Sequence, residues 1–240
     1  MIEIFRNGGY GMFPTAIFGL HTWPGPAGSV SYRSGPTMAA ADTIKIVSSL
    51  PRTGSANAQT TSMVNGIKMA IDEVGGQIDG LKIEYEDMDD ASPQRGNWDP
   101  AVEAQNANKA VREESVIGYI GTYNSGASKI SMPILNKAGL VMVSPGNTYP
   151  GLTKPGTGEP NEPAVYRPSG TINYFRVVPT DDIQGAVAAE FCMKDLAAKK
   201  AFVLHDRELY GKGIADVFKK TAEAGGVQVV GFEGIDAKAS

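Results

Sequence analysis

Residues 116–144 read Val-Ile-Gly-Tyr-Ile-Gly, Thr-Tyr-Asn, Ser-Gly-Ala-Ser-Lys-Ile-Ser-Met-Pro-Ile-Leu-Asn-Lys, Ala-Gly and Leu-Val-Met-Val-Ser. Val116 to Gly121 is a short apolar run that reads as a strand, Ser125 to Lys137 reads as a helix, and Leu140 to Ser144 as another strand. A helix lodged between two short strands is the repeating unit of a parallel sheet with helices on its faces. The unit recurs upstream. Thr43 to Ser49 reads as a strand, and Ser62 to Val74 carries Met63, Val64, Ile67, Ala70, Ile71 and Val74 on one helical face. Gly75-Gly76 stops that helix, Leu81 to Asp87 alternates as a strand, and Asp99 to Glu113 reads as a helix with Pro100 in its first turn. Downstream come a strand from Tyr174 to Val178 and a helix from Asp181 to about Ala197. A strand from Ala201 to His205, a helix from Gly211 to Ala224 and a strand from Val227 to Phe232 complete the series. The predicted class is α/β, with doubly wound parallel sheets.

Composition narrows what such a fold can do. The chain has 240 residues, long for one compact domain and comfortable for two, and 42% hydrophobic with 20% charged residues is an ordinary globular mixture. A net charge of −4 offers no field to gather a phosphate backbone, so nucleic acid is not an expected partner. Cys192 stands alone and the only histidines are His21 and His205, which excludes an internal disulfide and leaves no credible metal centre. No cofactor is expected.

Two segments break the α/β rhythm. Residues 1–41 hold three charged residues, seven Gly and four Pro, and read as a disordered leader. The competing reading is an export signal with a poor core, for which Met38-Ala-Ala-Ala-Asp42 supplies a small-residue cleavage site. The second segment has six prolines between Pro145 and Pro168 and is expected to be an ordered loop or linker.

In an open α/β sheet, ligands sit beyond the carboxyl ends of the strands, where the strand order reverses. The loops there are Leu50 to Ala56, Gly121 to Ser128 and Ser144 to Tyr149, rich in Gly, Ser and Thr and poor in catalytic groups. Ser125 opens a helix, so its hydroxyl and the first free N–H groups could hold a carboxylate, or the hydroxyl could simply cap the helix. Gly146 and Thr148 offer a carbonyl and a hydroxyl to a donor such as an ammonium group, or form an ordinary turn. The run Glu86-Asp-Met-Asp-Asp90 lacks calcium-loop spacing and reads as a solvated loop. Cys192 reads as a core or half-buried thiol beside Phe191, and no enzyme constellation emerges.

Several of these stretches, in order, resemble a known family. Asp42-Thr-Ile-Lys-Ile46, Asn65-Gly-Ile67, Ala70-Ile-Asp-Glu73, Gly75-Gly76 and Leu81-Lys-Ile83 are similar to the opening of the periplasmic leucine/isoleucine/valine-binding proteins. So are Ile120-Gly121 followed by Ser125, Met142 to Thr148, and His205-Asp206 with Tyr210-Gly-Lys-Gly213. The resemblance implies a two-lobed type I periplasmic binding protein, with lobe I over 42–178 and a partial lobe II over 179–240. It implies a monomer that binds a small solute, an amino acid or amide, outside the cytoplasm, and delivers it to the membrane permease of an ABC importer. On the matched positions, Ser125 would hold the ligand carboxylate, Gly146 and Thr148 its polar head, and Tyr210 would reach the cleft from the second lobe. The family's acidic ammonium partner would lie beyond Ser240. Where the family often places an aromatic in the first loop, this chain has Asn57, Ala58 and Gln59, which points to a more polar solute than a branched-chain amino acid. A cytosolic ligand-sensing regulator on the same fold is the alternative.

Overall fold

The computed structural model describes residues 42–235, so the expected leader lies outside the described residues. In chain order they form β1 (Thr43–Leu50), α1 (Asn57–Glu73), β2 (Gln77–Ile78), β3 (Leu81–Asp89), β4 (Ala91–Ser92), β5 (Asn97–Trp98), α2 (Pro100–Arg112), β6 (Val116–Gly121), α3 (Ser125–Lys137) and β7 (Val141–Ser144). Two 3₁₀ turns, Pro150–Leu152 and Ala164–Tyr166, lead to β8 (Tyr174–Arg176), α4 (Asp181–Lys194), β9 (Lys200–His205), α5 (Leu209–Ala224) and β10 (Gln228–Gly234).

Six strands form the larger sheet in the order β2-β3-β1-β6-β7-β8. All its pairings are parallel except that of the short β2 with β3. The chain leaves β1 for β3 on one side and then crosses to β6 on the other. The strand order therefore reverses at β1, which opens a crevice beyond the carboxyl ends of β1 and β6. The period-two pleat divides the side chains between two faces. Val47, Tyr119 and Met142 pack with Ala107 and Ala110 of α2 and Met132 and Leu135 of α3. Ile46, Ile83, Ile120 and Val143 turn the other way, toward α1, where they line an apolar groove of about 510 Å³ with Met63 and Ile67.

The second unit is smaller. Strands β9 and β10 pair in parallel, and α4 packs against α5. Gly185 makes that packing possible, because a Cβ there would stand 2.8 Å from Val217 Cβ. Val203 is buried, whereas Phe202, Leu204 and Val230 are exposed. The helices cover the Val203 side, so alternation along the strand leaves its neighbours outside.

Two local expectations are corrected. Helix α1 begins at Asn57 rather than Ser62, because Thr60 Oγ1 donates to the Pro51 carbonyl at 2.5 Å and Arg52 Nη1 donates to Thr60 Oγ1 at 2.9 Å. That first turn is held by polar bonds and so carries no apolar periodicity. The acidic run from Glu86 to Asp89 belongs to β3 instead of a solvated loop, and Asp90 follows directly after the strand. Arg52 Nε pairs with Asp87 Oδ2 at 3.0 Å, the Arg52 backbone N–H donates to Asp89 Oδ1 at 2.8 Å, and Asp90 is completely buried. The segment 150–167 is an ordered loop organised by one buried acid. The Glu162 carboxylate accepts from Tyr149 Oη at 2.9 Å and from Tyr166 Oη, and it pairs with Lys129 at 2.7 Å.

Two buried carboxyls sit behind the crevice. Glu103 on α2 accepts from Ser49 Oγ at 2.6 Å and from Tyr119 Oη at 2.9 Å. Burial pushes it up to about 7. Asp90 has no hydrogen-bond partner at either oxygen among the described residues, and burial, with Glu103 and Asp89 nearby, pushes it up to about 8. Both values lie above those of an unfolded chain, so the folded form keeps protons that the unfolded form releases. Stability is therefore expected to be highest in mild acid and to fall as pH rises toward 8. Thermal melting across pH 5 to 9 checks this, and Asp90→Asn should flatten the decline by removing the larger of the two ionisation penalties.

Candidate functional site

The loops after β1, β6 and β7 meet at the crevice, and Asn147 locks two of them together. It is fully buried, and each polar atom of its side chain is bonded. Its Oδ1 accepts from Tyr174 Oη at 2.9 Å and from Ser128 Oγ, while its Nδ2 donates to the Tyr123 carbonyl at 3.0 Å and to Thr122 Oγ1 at 3.2 Å. Its backbone N–H donates to Ser144 Oγ at 2.8 Å, and that hydroxyl donates to the Thr122 carbonyl at 2.8 Å. Arg176 on β8 clamps the same loop from outside, donating to the carbonyls of Asn147 at 3.1 Å and Tyr149 at 2.9 Å. The sequence reading passed over Asn147, since nothing in a Pro-Gly-Asn-Thr turn marks its asparagine as central.

Ser125 is the first residue of α3 and is buried, and the residue before the helix is Asn124. Its hydroxyl does not cap the helix. It accepts instead from the backbone N–H groups of Thr148 and Tyr149, each at 3.3 Å, which leaves its proton free to donate elsewhere. Gly146 lies against Tyr123. A Cβ at Gly146 would come within 3.0 Å of the Tyr123 ring and 3.2 Å of its carbonyl, so a side chain there would displace the loop.

Thr148 is joined to a residue the sequence reading did not single out. The Asp181 backbone N–H donates to the Thr148 carbonyl at 2.9 Å, which brings the first residue of α4 beside the β7 loop. The Asp181 carboxyl is fully buried, and burial pushes it up to about 6, opposed by the Thr148 hydroxyl and by Arg176. The hydroxyl is near enough to favour the ionised acid, yet neither Thr148 Oγ1 nor either Asp181 oxygen reaches a partner in hydrogen-bonding geometry among the described residues. Only the fold brings Thr148 and Asp181, 33 positions apart, into contact.

Tyr210 lies in the first turn of α5, 43% exposed, and is near enough to Tyr123 to add to the effect of burial in raising that phenol's pKa. Ser125, Gly146 and Thr148 are thus brought together by the loops after β6 and β7, and Tyr210 of the second unit stands near Tyr123 of the same loops. A cavity of about 390 Å³ between Gly126, Lys129 and Tyr149 on one side and Leu209 and Gly213 on the other is lined by none of the four residues expected from the sequence. The apolar groove under α1 contains none of the four. Among the described residues no cluster of three or more His, Cys, Asp or Glu side chains could hold a metal ion, and no helix is long and apolar enough to cross a membrane.

An open parallel sheet with its crevice at the reversal of strand order, joined to a second α/β unit, is the architecture of type I periplasmic binding proteins. Comparison with solved structures shows this directly. A branched-chain amino acid transporter substrate-binding protein, LivJ, from Streptococcus pneumoniae, solved with isoleucine, superposes with a TM-score of 0.65 at 29% identity, covering 82% of this chain and 50% of that one. The leucine-binding protein LivK of Thermotoga maritima gives 0.65 at 27% identity, covering 80% of this chain and 49% of that one. The family model described as periplasmic binding protein matches residues 43–240, and the chain belongs to that family. A leucine-, isoleucine-, valine-, threonine- and alanine-binding protein of Pseudomonas aeruginosa is 33% identical over 200 residues, which are 82% of this chain and 48% of the relative. The chain spans about half the length of the relatives it matches.

The Asn147 network gives the site its first test. Asn147→Ala removes four side-chain hydrogen bonds and strands buried partners, at a cost of about 3 kcal/mol. A lowered urea midpoint at unchanged slope is the expected result.

Proposed function

We propose that the protein is an extracytoplasmic solute-binding protein that takes up a small amino acid or amide and delivers it to the membrane permease of an ABC importer. Binding is the whole of its chemistry; no catalytic step is assigned. The observation that supports this reading is that a buried serine hydroxyl, a threonine and a buried acid are held side by side by the loops after β6 and β7 and the start of α4. These are complementary in kind to the carboxylate and ammonium groups of an amino acid.

In this reading Ser125 donates its free proton to the ligand carboxylate, close to the N-terminus of α3, whose dipole favours negative charge. The Gly146 carbonyl and the Thr148 hydroxyl meet the ammonium group, with the Asp181 charge behind Thr148. Lobe I, 42–178, presents these groups, and lobe II, 179–240, brings Tyr210 over the ligand. The protein acts as a monomer with an open and a closed form. Ligand shifts the population toward the closed one by touching both lobes at once.

The Leu/Ile/Val-binding relatives support this substrate class, and family membership supports the importer partner and a location outside the cytoplasm. Calorimetric titration with a panel of amino acids and their amides tests the reading. Ser125→Ala removes a hydrogen bond to a charged group, worth roughly 1.5–3 kcal/mol, so binding of the acids is expected to weaken about ten- to a hundredfold or slightly more. The corresponding amides should lose less. Unchanged affinity with a lowered melting temperature would leave Ser125 only the task of holding the loop at Thr148 and Tyr149.

A further inference from the structure

Tyr123 and Gln59 form a polar contact for which the site as described so far has no use. The Tyr123 hydroxyl donates to Gln59 Oε1 at 2.8 Å, joining the loop that carries Ser125 to the first turn of α1. Gln59 is exposed and Tyr123 is partly buried, with its ring against Gly146 and its backbone carbonyl held by Asn147 Nδ2 at 3.0 Å. The phenol is thus fixed at its root by the same asparagine that orders the site. Its hydroxyl reaches α1, and Tyr210 of the second unit stands near it. Burial and Tyr210 raise the Tyr123 pKa, so the phenol stays neutral and acts through hydrogen bonds rather than charge.

The contact leaves capacity unspent. An amide offers two donors and two acceptor sites, and a phenol one donor and acceptor lone pairs. One hydrogen bond between them leaves the other half of the Gln59 amide and a lone pair on the Tyr123 oxygen available. This holds whichever way the amide is turned. The pair presents no aliphatic side chain, and the aliphatic lining that a branched chain would need lies in the groove under α1, which neither Gln59 nor Tyr123 lines.

We infer that Gln59 and Tyr123 are specificity-determining residues, and that they select a ligand whose side chain ends in a hydrogen-bonding group, a carboxamide or a hydroxyl, over one with a branched aliphatic end. The inference rests on the proposed amino-acid site, because the Ser125 loop sets where the side chain can reach. An aliphatic end placed here would cover the Gln59 amide and the phenol without replacing their bonds to water, and buried polar groups left unpaired are what make such walls discriminate.

The test is calorimetric titration of the 240-residue protein with glutamine, asparagine, threonine, leucine and valine. Wild type is expected to bind at least one of the three polar side chains about tenfold or more tightly than leucine or valine. Gln59→Leu and, separately, Tyr123→Phe should each shrink that preference severalfold, with unchanged circular dichroism and melting temperature. Gln59 is exposed, so its variant keeps the test alive if Tyr123→Phe loosens the loop. A wild-type preference for leucine or valine would overturn the inference and leave the amino-acid reading intact. Equal weakening of all ligands in both variants would do the same, showing the pair to be a brace between α1 and the loop. Absence of any amino-acid binding in wild type, with Ser125→Ala equally inert, would overturn the proposed function and the inference with it.

Discussion

The Glu103 carboxyl takes hydrogen bonds from Ser49 on β1 and Tyr119 on β6, the two strands between which the larger sheet reverses its order. Helix α2 crosses that reversal, and Glu103 pins it to both strands at once. Asn106, one turn further along α2, adds bonds from its Nδ2 to Ser49 Oγ at 3.0 Å and to the Asp89 carbonyl at 2.9 Å. A reversal of winding leaves a gap at the carboxyl ends of the strands, and the gap becomes a usable crevice only if its floor is rigid. Here the floor is a polar knot in an otherwise apolar layer. Such a knot is tolerated because the Glu103 oxygens are hydrogen-bonded and burial raises its pKa to about 7, which lessens the cost of holding a charge there.

A second polar centre, Asn147, stands above the first and repeats the logic. Asparagine brings two donors and two acceptor sites in one plane, and the loops after β6 and β7 supply partners for both ends. The Ser125 hydroxyl is left with its proton free because the backbone of Thr148 and Tyr149 already occupies it as an acceptor. Order in the loops and readiness of the site are therefore the same fact. The Glu162 cluster extends this order into the Pro- and Gly-rich segment, with Lys129 of α3 set over the Tyr149 ring at 5.0 Å. Tyr149 in turn meets Gly213 of α5, where a Cβ would come within 3.3 Å of the ring. Contact between the larger sheet's loops and the second unit runs through that aromatic surface and through the Arg95–Glu208 pair at 3.8 Å.

The sequence by itself determined the class of the fold and most of its elements. The strand at Val116–Gly121 and the helix at Ser125–Lys137 stand at the predicted residues, because a short apolar run and a helix between glycines are local signals. It also determined which loops matter, since loops beyond strand ends in an α/β chain can be located by counting. Ser125 and Thr148, from two of those loops, are joined by a hydrogen bond in the fold. Tertiary structure decided everything that depends on contacts between distant residues. Asp90 is buried and Asp181 adjoins Thr148 because strands and helices far apart in sequence fold over them, and a local reading sees only a charged run and a helix start. Asn147 became the centre of the site because Thr122, Ser128 and Tyr174 arrive from three other elements. Gln59 could be seen as a departure from the family's aromatic, but its pairing with Tyr123, 64 residues away, exists only in the folded chain. Hydrophobic periodicity is written along the chain, whereas hydrogen-bond complementarity is settled between its distant parts.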